Sequence, residues 1–542
     1  FATHGGIKRA TCYATALGLY ELQINGQRVG DDLLTPGWTE FRKRVYYQTY
    51  DVTPLIKADA QNCVGAILGD GWYAGYIGFR LLVGMPRPRN YYGGVPRLRA
   101  QIEIEYEDGH TERVVTNGDW KASYGRIREA DNLMGEVEDL RLDLGPFSTP
   151  GYEAAKWQPV AVGPAPKILV QAHPGLPVRA LETFPAKSVK EIKPGVFIYD
   201  LGQNLVGYAR VTVKGSAGDK VQVRFAERLQ DNGELYTINY RKARCVDNFI
   251  LADDKPTTLE PKFTFRGFQY VEISGLKEAP QPKDVVGQVI GSDIEQTGTF
   301  ESSDPTLNQL FHNIVWGQKG NYLEAPTDCP QRDERAGWTG DAQFFMPTAA
   351  YLADVGAFFS KWLVDLVQDS QAADGSFGDI APQLDLGSGA VAWGDAAMIC
   401  TYNVYKYYGD TRIIEQHYDN LVRGMDFLQK TSDNFIRKKL GYGDWLNKGG
   451  GAKDEVICTA YFAYLSGLMA EMGAAIGRND DATRYRTLRD NIKDAFAKAF
   501  VAADGKILDS SQTGYALAFT MDLLPEDKKA GAAKYFEDEI HR

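Results

Sequence analysis

The sequence predicts a multidomain protein in which β-sandwich domains come before a helical domain. At 542 residues the chain exceeds the length at which one hydrophobic core keeps growing, so two to four domains are expected. Apolar and polar residues alternate up to about Gly291, as in half-buried strands. After about Glu301 the period lengthens toward 3.6, which is typical of amphipathic helices and continues to the end of the chain.

Residues 1–150 are assigned to a first β-sandwich. The runs Thr11–Leu17 and Leu98–Tyr106 alternate apolar with polar side chains. Asn25-Gly26 lies between two such runs and predicts a tight hairpin, because both residues tolerate positive φ. The aromatic segment Gly69–Gly75 is interpreted as a packed turn in preference to a ligand contact.

A linker is predicted at residues 151–181, where prolines and glycines become frequent and one strand is expected at 167–171. Residues 182–297 are assigned to a second β-sandwich. Its predicted strands are 195–200, 208–213, 220–225, 245–251 and 263–273.

Residues 298–542 are assigned to the helical domain. Asp304-Pro305 is a good helix start, since aspartate caps free amides and proline suits the first turn. About nine helices of uneven spacing indicate a toroid of paired helices, and the predicted ranges are 304–317, 341–352, 354–372, 391–408, 410–431, 453–477, 480–501, 511–522 and 526–541.

Composition excludes several classes of function. A net charge of -11 without a basic cluster argues against nucleic acid, and no apolar run approaches the ~20 residues of a membrane span. The 12% aromatic share suits β layers and also sugar sites, where flat rings cover pyranose faces. Six scattered cysteines and six histidines without a ligand motif predict no metal, no cofactor and no disulfide framework. The compartment stays open between cytoplasm and export, and a homodimer is one candidate for the oligomeric state.

The densest chemistry lies in the segment 328–343, which reads D-C-P-Q-R-D-E-R-A-G-W-T-G-D-A-Q. Pro330 lacks an amide hydrogen and Gly337 breaks regularity, so a loop is expected there. Asp341 is predicted to cap the helix that follows. A loop rich in carboxylates at a helix start suits a polar pocket.

This segment resembles the bacterial α-L-rhamnosidases of glycoside hydrolase family 78. The resemblance extends over nearly the whole chain, and the other motifs that carry it are 18–22 with 25–26, 37–39, 69–75, 200–204, 265–270, 392–395 and 443–447.

The resemblance implies β-sandwich domains followed by an (α/α)6 barrel of twelve helices, and hydrolysis of terminal α-L-rhamnosides with inversion. It implies Glu334 as the general acid. The residues that it implies for contact with the rhamnose ring are Asp328, Arg332, Trp338, Asp341, Trp393, Asp444 and Trp445. Rhamnosylated glycosides or polysaccharides are the expected substrates.

The family's general base is a glutamate in a segment that reads like A-T-T-x-W-E, and no such segment occurs before Arg542. The barrel is therefore expected to be incomplete at the C-terminus, with the base beyond Arg542. Two other functions stay open, a rhamnose-binding fragment without catalysis and another (α/α)6 hydrolase or lyase.

Each nominated side chain also has a purely structural interpretation. Glu334 could form a surface salt bridge with Arg332 or Arg335, and Asp328 could form an Asx turn. Asp444 could only shape the glycine-rich loop Gly441–Gly451. The three tryptophans could be core aromatics, and Asp341 could be only a helix cap.

Overall fold

The computed structural model describes residues 1–438, 440–448, 450–508 and 510–541. Gly449 of the glycine-rich loop and Arg542 lie outside this range. The chain forms two compact units, the first made of 1–295 with 299–336 and the second of 296–298 with 337–542. The domain limits that the sequence suggests, 1–150, 151–181, 182–297 and 298–542, stay predictions.

Most of the first unit is β-structure, as its alternating sequence predicts. Its strands are β1 Ile7–Leu17, β2 Leu19–Ile24, β3 Gln27–Arg28, β4 Arg44–Asp51, β5 Val64–Gly69, β6 Arg97–Tyr106, β7 Thr111–Val115, β8 Lys121–Ala122, β9 Ile127–Asp131, β10 Gly135–Asp139, β11 Gln158–Pro159, β12 Leu169–Ala172, β13 Val178–Pro185, β14 Ser188–Lys193, β15 Val196–Val213, β16 Lys220–Ala226, β17 Val246–Ile250, β18 Thr257–Leu259, β19 Arg266–Ser274, β20 Val285–Ser292, β21 Tyr322–Leu323 and β22 Ala325–Pro326.

A five-stranded sheet and a three-stranded sheet share the first core. The orders are β12-β4-β1-β6-β7 and β3-β2-β5. Cys12 of β1, Leu22 of β2 and Ile104 of β6 are buried in one cluster. The predicted hairpin is confirmed: Ile24 pairs with Gln27, so Asn25 and Gly26 form a two-residue turn with φ of 53° and 82°.

The second core lies in a ten-stranded sheet built around β15. The main order is β13-β20-β15-β19-β16-β17-β10-β9, and β14 and β18 also pair with β15. The runs 195–200 and 208–213 were predicted as separate strands, which is wrong, because β15 runs through both. Its register shifts between Asp200 and Leu205, where the carboxylate of Asp200 accepts a hydrogen bond from the Gly202 amide at 2.7 Å. A bulge of this kind breaks the alternation without ending the strand.

The first unit also carries three α-helices, α1 Gly71–Ala74, α2 Gly78–Val83 and α3 Pro305–Asn321. The first two were not predicted, since helices this short leave no period in the sequence. Asp304 caps α3, accepting from the Thr306 amide at 2.8 Å as expected. Single 3₁₀ turns occupy Thr53–Leu55, Leu140–Leu142, Ile238–Tyr240 and Pro282–Asp284.

The second unit is helical, which confirms the predicted change from sheet to helix. Its helices are α4 Thr339–Leu352, α5 Gly356–Leu363, α6 Ala396–Tyr408, α7 Arg412–Lys430, α8 Asp454–Ala475, α9 Asn479–Phe500, α10 Gln512–Thr520 and α11 Glu526–His541. A π-helical turn, Val364–Asp369, follows α5, and the short strands β23 Ser432–Asp433 and β24 Ile436–Arg437 pair with each other.

Helix α8 is long and apolar enough to cross a membrane by length and composition. Of its apolar window, 78% is buried inside the protein. A helix that is apolar on most of its surface suits the centre of a helical domain.

Candidate active site

The acidic segment forms a loop that closes on itself. The Asp328 amide donates to the Ala336 carbonyl at 3.1 Å, and the Ala336 amide donates to Oδ1 of Asp328 at 2.9 Å. The Asx-turn alternative for Asp328 is therefore wrong. Pro330 has no amide hydrogen at the position where an Asx turn needs one, so the carboxylate spans eight residues instead.

Two arginines hold the carboxylate of Glu334 within the first unit. Oε2 of Glu334 accepts from Nη2 of Arg241 at 3.0 Å and from Nε of Arg332 at 3.2 Å. Arg332 also reaches Asp328 at 3.3 Å, so one guanidinium joins both nominated carboxylates. The Glu334 side chain is 15% exposed and that of Arg332 is 36% exposed, so their ion pair is partly buried.

The neighbours of Glu334 in sequence anchor the loop. Asp333 is completely buried and accepts from Nε of Arg241 at 2.7 Å and from the Lys242 amide at 3.2 Å. Arg335 is buried and donates to the carbonyls of Asn132 and Phe265, both at 2.7 Å. The structural alternative of a salt bridge between Glu334 and Arg335 therefore fails, because Arg335 fixes the loop to the β-structure instead.

Burial gives the carboxyl of Asp328 an unusual proton affinity. Removal from water raises the pKa of Asp328 to about 6, and the negative charge of Glu334 is the second cause of this rise. The Ala336 amide and Arg332 act in the opposite direction by stabilising the charged form. A carboxyl with such a pKa can exist in either protonation state near neutral pH.

Close contacts leave little room for a side chain at two glycines beside this loop. A Cβ at Gly78 would lie 2.4 Å from the Glu334 carbonyl oxygen, and one at Gly267 would lie 3.0 Å from Pro330. The Gly267 amide donates to the Pro330 carbonyl at 3.2 Å. The β-structure therefore determines the path of the loop.

In the second unit, the three tryptophans that the family resemblance implies for sugar contact surround one tyrosine. The ring centroid of Tyr442 lies 6.0 Å from that of Trp338, 4.7 Å from Trp393 and 5.8 Å from Trp445. Trp445 is 60% exposed, so the core-aromatic interpretation is wrong for it. The four rings form an aromatic cluster, Trp338–Trp393–Tyr442–Trp445, of the kind that covers an apolar sugar face.

Asp341 does not cap α4, contrary to expectation. The helix begins at Thr339, Trp338 occupies the N-cap position, and Asp341 lies exposed in the first turn. An acidic side chain in a first turn is favourable because helix N-termini carry partial positive charge. Gly340 lets the Trp393 ring approach, since a Cβ there would lie 2.6 Å from it.

Asp444 shapes its loop, as the structural alternative predicted. Its Oδ2 accepts from Nδ2 of Asn447 at 2.9 Å and from the Ala452 amide at 3.1 Å. Buried Asp379 supports the aromatic cluster by accepting the Tyr442 hydroxyl at 3.0 Å. Burial raises the pKa of Asp379 above its ordinary value.

Backbone strain marks the same regions. Arg241 and Arg335 have φ of 56° and 42°, and Ala392 and Leu446, beside two of the tryptophans, have φ of 67° and 56°. Left-handed conformations cost non-glycine residues about 1–2 kcal/mol and persist where the surroundings impose them.

Sequence reasoning missed Arg241, Asp333, Tyr442 and Asp379. Tyr442 lies between two glycines immediately before Asp444 and Trp445, and this position in the sequence could have identified it. Arg241 is 93 residues from Glu334 in sequence, and no local pattern connects them.

One group of possible metal donors occurs in the loop: ligand atoms of Asp328, Cys329 and Glu334 lie within 4.8 Å of one another. Burial raises the pKa of the Cys329 thiol, which disfavours the thiolate that a metal would need. Arg332 already binds both carboxylates. The donor set therefore suits hydrogen bonding to a neutral polar ligand better than a cation.

The chain matches three family models that together extend over most of its length. They are described as alpha-L-rhamnosidase N-terminal domain at residues 5–182, bacterial alpha-L-rhamnosidase concanavalin-like domain at 190–291, and bacterial alpha-L-rhamnosidase 6 hairpin glycosidase domain at 295–542.

Similar proteins carry the same name. An alpha-L-rhamnosidase of Streptomyces avermitilis is 44% identical over 98% of this chain and 51% of its own length. One of Formosa agariphila is 35% identical over 100% of this chain and 59% of its own length. A crystal structure of Streptomyces avermitilis alpha-L-rhamnosidase complexed with L-rhamnose superposes with a TM-score of 0.95 at 43% identity, over 99% of this chain and 52% of that one.

This chain thus spans about half the length of the relatives that it matches. The matched models, the sheet-rich first part and the helical second part agree in order and extent. The chain belongs to the bacterial α-L-rhamnosidase family.

Proposed function

We propose that the protein carrying residues 1–542 is an exo-acting α-L-rhamnosidase that hydrolyses terminal α-L-rhamnosides with inversion. Its substrates would be rhamnosylated glycosides or polysaccharides. The observation that carries the proposal is the loop 328–336, in which Glu334 and Asp328 share Arg332 in a partly buried setting. A carboxyl group held in this way can serve as one member of the carboxyl pair that glycoside hydrolysis uses.

Glu334 is the proposed general acid. An acid must be held at a defined position to give its proton to the leaving oxygen. Arg241 and Arg332 approach Oε2 of Glu334 from different parts of the chain and restrict where the carboxyl can go. The second carboxylate that inversion requires is proposed, as the family pattern implies, to be the glutamate of an A-T-T-x-W-E segment.

The remaining nominated residues are proposed to bind the sugar. Rhamnose carries a methyl group in place of one hydroxyl, and the aromatic cluster around Tyr442 offers an apolar surface for it. Asp328, Arg332, Asp341 and Asp444 are proposed to bind hydroxyl groups, for which charged groups are strong hydrogen-bonding partners.

The test is release of rhamnose from aryl α-L-rhamnosides. Glu334→Gln should lower kcat by at least about a hundredfold with a poor leaving group, because glutamine cannot donate the proton. With a strongly acidic phenol as leaving group the loss should be much smaller, since that oxygen leaves without protonation. Glu415→Gln, on an exposed position of α7, is the matched control and should be fully active.

The outcome also decides between the competing functions. Rhamnose binding in calorimetry without any turnover would indicate a binding protein. Hydrolysis of a different aryl glycoside with the rhamnoside untouched would indicate another (α/α)6 glycosidase. An equal loss with good and poor leaving groups in Glu334→Gln would remove Glu334 from the acid role, and NMR of the first anomer released tests inversion.

A further inference from the structure

Outside the loop 328–336, a second group of side chains with metal-binding atoms lies at the β6–β7 hairpin and the segment before β1. His4, His110 and Glu112 each place one ligand atom within 4.8 Å of the others. Nε2 of His4 is 3.9 Å and Nε2 of His110 is 3.8 Å from Oε1 of Glu112. We propose that this group, called here the His4–His110–Glu112 cluster, binds a divalent transition-metal ion such as Zn²⁺.

The donor set and spacing suit this class of ion. Two imidazoles and one carboxylate are ligands that Zn²⁺ and related ions accept, whereas Mg²⁺ and Ca²⁺ prefer oxygen alone. Tetrahedral coordination at ordinary zinc–ligand distances places ligand atoms about 3.4 Å apart. Closing these two distances by about half an ångström needs only small side-chain rotations, and both histidines are exposed.

The tautomer of His4 already suits coordination. Its Nδ1 lies 3.2 Å from the Gly5 carbonyl oxygen, which can only accept a hydrogen bond. Nδ1 is therefore the protonated nitrogen in the neutral ring, and the lone pair of Nε2 faces Glu112. Metal-binding histidines are commonly oriented by this kind of contact through the other ring nitrogen.

Tyr106 orders the other members of the cluster. Its ring stacks on His4 with centroids 3.7 Å apart and an interplanar angle of 18°, and on His110 at 5.8 Å. Its hydroxyl donates to Oε2 of Glu112 at 2.8 Å, which leaves Oε1 directed toward the two histidines. A hydrogen-bonded carboxylate ligand is the usual arrangement at metal sites.

The backbone brings the three ligands together from two places. His110 and Glu112 lie on the β6–β7 hairpin two residues apart, and the His110 amide donates to Oδ1 of Asp108 at 2.8 Å, which fixes the turn. His4 comes from the segment before β1. A bound ion would therefore tie residues 4–6 to this hairpin, independently of the proposed rhamnosidase activity.

Zinc binding by tag-free protein, measured by competition with a chromogenic chelator, tests the proposal. The parent protein should bind one Zn²⁺ per chain. His110→Ala should abolish this binding or lower the affinity by at least about tenfold, and Tyr106→Phe should lower the affinity by about tenfold. Zn²⁺ should also raise the Tm of the parent protein but not of His110→Ala.

His312→Ala is the matched control, because His312 is likewise exposed and contacts only Gln203, at 3.1 Å, among its hydrogen-bond partners in the described residues. It should bind zinc as the parent does. Absence of binding by the parent protein, or unchanged affinity in both His4→Ala and His110→Ala, would overturn the proposal.

Discussion

At the scale of single residues, the charged side chains of the loop 328–336 contact two different sets of partners. Arg332 contacts both Glu334 and Asp328, whereas Asp333 accepts from Arg241 and Arg335 donates to the Asn132 carbonyl. This alternation separates the residues that we propose to act on the sugar from the residues that fix the loop. Composition alone could not assign the roles, because both groups contain one acid and one arginine.

The pKa of Asp328 predicts how stability depends on pH. The folded protein keeps the proton on Asp328 up to about pH 6, while the unfolded chain releases it near the ordinary pKa of 3.8. Between pH 3.8 and about pH 6 the folded state binds more protons than the unfolded state, so the free energy of unfolding falls as pH rises. Above about pH 6 the loss of stability from this group reaches about 3 kcal/mol. The stability of Asp328→Asn relative to the parent should therefore be greater at pH 7 than at pH 4. Urea unfolding at the two pH values measures this difference. Parallel pH profiles would contradict the prediction.

Arg241 should matter through the charge that it neutralises. Asp333 is fully buried, so Arg241→Ala leaves a buried carboxylate without its guanidinium and should cost about 3 kcal/mol of unfolding free energy. The double variant Arg241→Ala with Asp333→Asn should recover part of this loss, because no buried charge remains. A double-mutant cycle with no coupling between the two positions would argue against the ion pair.

At the scale of elements, the start of α4 is determined by its contact with an aromatic ring. The N-terminal turn contains Gly340, whose hydrogen faces Trp393. Helix propensity would favour alanine at this position. Packing against the tryptophan excludes it.

Gly340→Ala should therefore behave oppositely to the same substitution elsewhere. Its Cβ would lie 2.6 Å from the Trp393 ring, and displacement of the ring should cost about 1–3 kcal/mol and raise KM for rhamnosides. Gly317→Ala, in α3, meets nothing within 4 Å and should stabilise by about 0.5–1 kcal/mol. Thermal unfolding and steady-state kinetics measure both, and equal effects would refute the packing argument.

At the scale of the whole molecule, the net charge of residues 1–542 bears on the substrates that we propose. The net charge is -11, which repels anions but leaves a neutral sugar unaffected. For a neutral aryl rhamnoside, kcat/KM should change less than about twofold between low and high salt, because there is no charge on the substrate to screen. Rhamnosylated polyanions should instead be hydrolysed faster as salt is added. A steep fall with salt on the neutral substrate would contradict this.

The order of sheet and helix could be predicted because each element records its own period in the sequence. All nine helices predicted after residue 301 correspond to helices in the described part of the chain, and within the region 354–372 helix α5 is followed by a π-helical turn at 364–369. The short helices α1 and α2 and the continuous strand β15 could not be predicted, because neighbouring strands decide their hydrogen bonding.

The sequence by itself determined the family, the change from strands to helices, the hairpin at Asn25-Gly26 and the identity of the loop carrying Glu334. These depend on local periodicity, turn chemistry and a dense motif. Only the tertiary structure decided that Arg241 pairs with Glu334, that Arg335 anchors the loop, and that Tyr442 gathers three tryptophans. Those contacts join positions far apart in the chain, and burial and charge, which set their energies, exist only once the chain has folded.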